Sequence, residues 1–155
     1  MNRESLKLEV MAAFKSVTKP SLEDIAPHQC LECDELRVAL DPYESLNIPT
    51  EVLDKCRWDM PLLSDDAKQY FLPAWLLRSI DEPRSDYTSA LLFALDDDHR
   101  WAPSVPYSDR QWRVLVAYLD FMASTIDEYE LPRVENAKLR IETRPNKSLE
   151  RTRGG

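Results

Sequence analysis

Apolar side chains recur at helical spacing along most of the chain. Over residues 5–17, SLKLEVMAAFKSV, Leu6, Val10, Phe14 and Val17 fall on one stripe with Met11 beside them, the period of an amphipathic helix that Pro20 must end. Ser21 with Asp24 three residues on resembles a capping box and opens a short turn. That turn stops before Pro27, because the residue ahead of a proline avoids helical torsions. A helix restarts over Cys30 to Leu40, and Pro49-Thr50 opens a short helical piece through Cys56. Residues 57–63 read as a loop in which Trp58, Met60 and Leu62 are available to pack.

Ser64-Asp65-Asp66 is a strong helix start, a capping hydroxyl followed by two acids where the helix dipole welcomes them. The helix it opens runs to about Ile80, with Ala67, Tyr70, Phe71, Ala74 and Leu77 on one face. Pro73 lies inside it and should kink it or split it in two. Asp86 to Leu95 gives a shorter, very apolar helix, followed by the acidic triplet Asp96 to Asp98 and the proline-rich connection HRWAPSVPY. Ser108 and Gln111 form a second capping box. Behind it Trp112, Leu115, Leu119, Met122 and Ile126 recur at three and four residues, widened by Val116 and Ala123 to a core-facing stripe. The pattern predicts an all-α, single-domain bundle of about five or six helices with a proline-kinked central helix. Its core would be drawn from Phe14, Tyr70, Phe71, Leu77, Leu92, Leu115, Leu119 and Met122.

Composition sharpens this picture. The 155 residues include two glycines, both at the very end as Gly154 and Gly155, and eleven prolines. Dinucleotide fingerprints, P-loops and nucleophile elbows need glycine where backbone meets phosphate or turns sharply, so those site classes are excluded, and tight primed hairpins become improbable. No apolar run approaches the ~20 residues needed to span a bilayer. The start Met1-Asn2-Arg3-Glu4-Ser5 lacks the apolar stretch of a secretory signal, so a cytosolic location is expected.

Charge divides the chain. Residues 133–155 carry seven Lys or Arg against three Glu, a net of +4, which leaves −12 on residues 1–132 of a protein whose total is −8. The expected organisation is an acidic helical domain over 1–132 and a basic, disordered tail over 133–155, with KLRI at 138–141 able to extend a helix or add a short strand.

Three of the five Cys and His residues lie in His28-Gln29-Cys30-Leu31-Glu32-Cys33. Thiolates and an imidazole at short spacing suit Zn²⁺, and Cys30 and Cys33 would share a helix face with His28 approaching from the extended residue after Pro27. The fourth ligand would be Cys56 or His99, with Asp34 or a water nearby as alternatives. The plainer reading makes the cysteines small hydrophobes and His28 a cap or surface residue, with no cofactor at all. A redox Cys-Leu-Glu-Cys pair is a third reading, opposed by Glu32, Asp34 and Glu35, which disfavour thiolate.

Residues 28–35 (HQCLECDE), 59–63 (DMPLL) and 70–76 (YFLPAWL) together resemble a family of small bacterial proteins of unknown function carrying HxCxEC and YxLPAxL motifs. The resemblance covers about residues 5–125, with YFLPAWL its most specific part. It implies a bacterial cytosolic domain and adds no catalytic residue.

Other clusters carry less. Asp96-Asp97-Asp98-His99 lacks the alternating ligands, central glycine and distal Glu of a calcium loop and reads as a solvated helix end. Trp101, Pro103, Pro106 and Tyr107 form either a ligand ledge or, as expected of aromatics in a proline-rich connection, a clamp to the core. Neither His28 nor His99 has a neighbouring Ser or Cys at a spacing that predicts a triad, and no catalytic residue is nominated. A body at −12 repels phosphates, which disfavours nucleic acid, and suits capture of a basic protein, as in an immunity-like or regulatory protein. The competing class is a small zinc-dependent enzyme with an open position at His28, Cys30 and Cys33.

Overall fold

Four of the described helices begin where a short polar side chain accepts one of their first free N–H groups. Asn2 accepts the Ser5 amide at 2.8 Å, Ser64 the Ala67 amide at 3.1 Å, Ser85 the Thr88 amide at 3.4 Å and Ser108 the Gln111 amide at 3.1 Å. At Ser108 the box is reciprocal, since the Ser108 amide donates to Gln111 Oε1 at 2.9 Å. Ser21 instead turns its hydroxyl to the Asp24 carboxylate at 2.9 Å, and only a 3₁₀ turn forms over Leu22–Asp24.

The computed structural model describes residues 1–144. It contains α1 (Arg3–Ala13), α2 (Leu31–Leu40), α3 (Thr50–Lys55), α4 (Asp65–Asp81), α5 (Asp86–Leu95), α6 (Asp109–Thr125) and α7 (Leu131–Thr143), with 3₁₀ turns at Leu22–Asp24, Met60–Leu62 and Glu128–Glu130. Among the described residues there is no strand and no residue at positive φ, in keeping with a body that holds no glycine to favour the left-handed region. Helix α6 packs between α1 and α7, α4 lies against α1, α5 and α3, and α5 closes on α7. One continuous apolar cluster joins these helices, with Phe71, Trp75, Leu92, Leu115, Tyr118, Leu119 and Met122 at its centre. Of the expected core residues, Leu77 is the one left at the margin, half-buried. None of the described helices is long and apolar enough to cross a membrane.

Three expectations need correction. The described residues hold seven α-helices, not five or six, and the extra one is α7. Its Val134, Ala137 and Ile141 lie at i, i+3 and i+7 and are all buried, so the domain boundary at residue 132 falls inside a packed helix. The cations around that stripe are not a separate body. Arg140 reaches the Asp98 carboxylate and the carbonyls of Leu95 and Trp101, and Lys138 pairs with Asp120 at 2.8 Å. What remains of the expected tail, 145–155, lies outside the described residues. Helix α1 also ends at Ala13, well short of Pro20, with Gln111 Nε2 donating to the freed Ala13 carbonyl at 3.1 Å. Of the two outcomes expected at Pro73, a kink or a split, the split does not occur, and α4 runs through it as one helix. Residues Phe71 to Leu76 are all buried there, and that burial outweighs a proline penalty of about 3 kcal/mol.

Candidate functional site

The His28–Cys33 turn is built around an arginine. Arg37, on the inner face of α2 and 8% exposed, donates through Nε and Nη2 to the Ala26 carbonyl at 3.2 and 2.6 Å, through Nη2 to the His28 carbonyl, and through Nη1 to Asp34 at 2.6 Å. This fork fixes the entry to α2 and neutralises Asp34. Its signal in the sequence, one cation among the inward positions Cys33, Leu36 and Leu40, is faint.

The expected zinc ligands are not assembled. Among the described residues no three His, Cys, Asp or Glu side chains are placed to hold a metal ion. Cys30 is the exposed N-cap of α2, its sulfur accepting the Cys33 amide at 3.4 Å, while Cys33 is fully buried and His28 is exposed. The Cys33 thiol is pushed up by burial first and then by its hydrogen bond to the Cys30 side chain. Cys56 is buried and donates its S–H to the Val52 carbonyl at 2.9 Å. Burial, then the charges of Asp59 and Asp54, push it up to about 12, and a thiol so held is a poor ligand. His99 stands exposed beyond α5, where Asp97 accepts its backbone N–H and Arg100 and Arg140 hold the acids around it.

Trp101 and Tyr107 are the clamp, at 2% and 9% exposure, edge-on to each other at 5.9 Å and both against Trp112. A shallow cleft of about 370 Å³ opens between Val17, Gln69 and Gln111, yet its glutamines are spent on one another and on the carbonyls of Pro106 and Ala13. It is a structural seam.

The unsatisfied surface is the outer face of α2. Cys33, Leu36 and Leu40 bury its inner face, while Leu31 and Val38, seven residues apart and so on one side, are 71% and 72% exposed with Glu35 between them. Asp59 borders this face. Burial, then the negative charges of Glu32 and Glu35, push the Asp59 carboxyl above its usual range. Next to it Trp58 is half exposed and braced edge-on against Phe93 at 5.8 Å, whose ring lies under the Arg100 guanidinium at 3.7 Å. Leu31, Val38 and Trp58 thus stand exposed near Glu32, Glu35 and Asp59, three carboxylates that form no ion pair among the described residues.

Comparison with protein families, with curated proteins and with solved structures returned no match.

Proposed function

We propose that this chain is a cytosolic, acidic partner-binding protein of regulatory or immunity-like type, acting without catalysis, and that its partner is a basic protein. The observation that carries the reading is the outer face of α2, where Leu31 and Val38 stand exposed beside Glu32, Glu35 and Asp59. Like-charged carboxylates gathered this closely raise the free energy of the free protein, and a cationic partner would relieve it. The apolar residues would supply burial and Trp58 an aromatic anchor, the usual division between affinity and electrostatic steering. The net charge, −10 over residues 1–144, supports fast capture of a cationic surface and opposes phosphate-rich ligands. A zinc-dependent enzyme at His28, Cys30 and Cys33 has no comparable geometric support.

The test compares immobilised wild type with a variant carrying Glu32→Gln, Glu35→Gln, Asp59→Asn, Leu31→Ser and Val38→Ser, both exposed to host extract at low and high ionic strength. Basic proteins retained by wild type, released by salt and absent from the variant are the expected outcome. Equal retention on both would overturn the reading.

A further inference from the structure

We propose that Cys30 and Cys33 are a redox-active dithiol that closes to an intramolecular disulfide by exchange with small disulfides of the glutathione type. The inference stands on the geometry of the α2 entry and is independent of the docking reading. Cys30 occupies the N-cap in extended conformation (φ −146°, ψ 164°), and Cys33 sits one turn on, its amide donating to the Cys30 sulfur at 3.4 Å. The two sulfurs have opposite exposure. Cys30 is open to solvent, whereas Cys33 is fully buried, so a small disulfide reaches only the first. An exposed attacking sulfur in front of a buried resolving one is the arrangement that an exchange reaction requires. Cysteine is also an unusual cap. The other capped helices use Asn2, Ser64, Ser85 and Ser108, each a better acceptor than a thiol, so capping alone does not account for sulfur at this position.

The chemistry balances with the small disulfide as oxidant. The Cys30 thiolate, its proton given to solvent, attacks one sulfur of RSSR; a new S–S bond forms, the old one breaks, and RS⁻ leaves and takes up a proton. Cys33 then loses its proton, bonds its sulfur to that of Cys30, and expels the second RS⁻, again protonated on release. Two cysteine thiols are oxidised and one RSSR is reduced to two RSH. Without a catalyst, closure on the scale of minutes to hours follows.

The experiment incubates the reduced full-length chain with glutathione disulfide, quenches with acid, unfolds, alkylates and weighs the intact protein and its fragments. The expected product is lighter by two hydrogens before alkylation, carries a Cys30–Cys33 link, and takes up one alkyl group, on Cys56, where the reduced chain takes three. Cys33→Ala should trap a stable glutathione adduct on Cys30, and Cys30→Ser should give neither link nor adduct at Cys33. Accumulation of the Cys30 adduct in wild type, or a link to Cys56, would overturn the proposal.

Discussion

Asp59 is the residue whose environment is most at odds with its own charge. Its carboxyl is raised by burial and by Glu32 and Glu35, so the folded state holds its proton more tightly than the unfolded chain does. The sign follows from that direction. Asp59 contributes its stability below the unfolded pKa of about 3.9, and loses it as pH rises through the higher folded value. Asp59→Asn removes the ionised form, so the variant should be more stable than wild type at pH 7, with the difference shrinking to nothing as the pH falls below about 4. Urea midpoints of the two proteins across pH 3 to 8 measure it, and a variant less stable at pH 7 would mean that Asp59 is favourably paired. The variant should also bind the basic partner less well, a stability gain joined to a functional loss. At this scale the sequence was uneven as a guide. The rarity of Cys and His drew attention to residues 28–33, but Arg37, which organises that turn, reads as an ordinary solvated helix cation until Ala26 and His28 are seen to need donors. Trp58, read only as available to pack, does so by one edge against Phe93 and stays half exposed, a division that hydropathy alone does not foretell.

Elements with capping signals were legible, because a cap acts locally. Ser64 and Ser108 mark their helices in the sequence and cap them in the structure. The end of α1 and the whole of α7 were not legible, because they depend on partners distant along the chain. Helix α1 stops where Gln111 meets the Ala13 carbonyl from α6, and α7 hides three inward residues among cations whose acids lie on the α5 end and on α6. That packing has an energetic consequence. Burying Val134 and Ile141 is worth about 1.5–3 kcal/mol each, and their sum is comparable to a total stability of about 5–15 kcal/mol. Truncation after Glu130 should therefore abolish cooperative thermal unfolding. Ile141→Ala, at the chain-terminal end of the cluster, should cost about 2 kcal/mol, near the low end for a buried isoleucine. Circular dichroism melts of both variants check this, and an unchanged transition in the truncated chain would return α7 to the status of an appendage.

At the scale of the whole molecule, charge surplus and fold pull against each other. The chain carries −8 in all, and like charges spread over one small body repel each other in the folded state more than in the expanded one. Ion pairs such as Lys7–Asp81 at 2.8 Å and Arg110–Glu9 at 3.0 Å offset this only slightly, since exposed or half-buried pairs contribute about 0–1 kcal/mol each. Salt acts on both terms through one screening length, about 30 Å at 0.01 M and about 8 Å at 0.15 M. Repulsion summed over the body reaches across tens of ångströms and is screened strongly over this range, whereas contacts near 3 Å are screened little. Raising sodium chloride from 0.01 to 0.15 M should therefore raise the melting temperature of the free protein. The same change should weaken its complex with a basic partner, because there the long-range term is attractive, and the loss should fall mainly on the association rate. Opposite responses in the two measurements, a rising melting temperature and a falling association rate, are what an acidic capture protein requires. A melting temperature that drops with salt would show that the ion pairs outweigh the surplus, and would remove the electrostatic argument for a cationic partner.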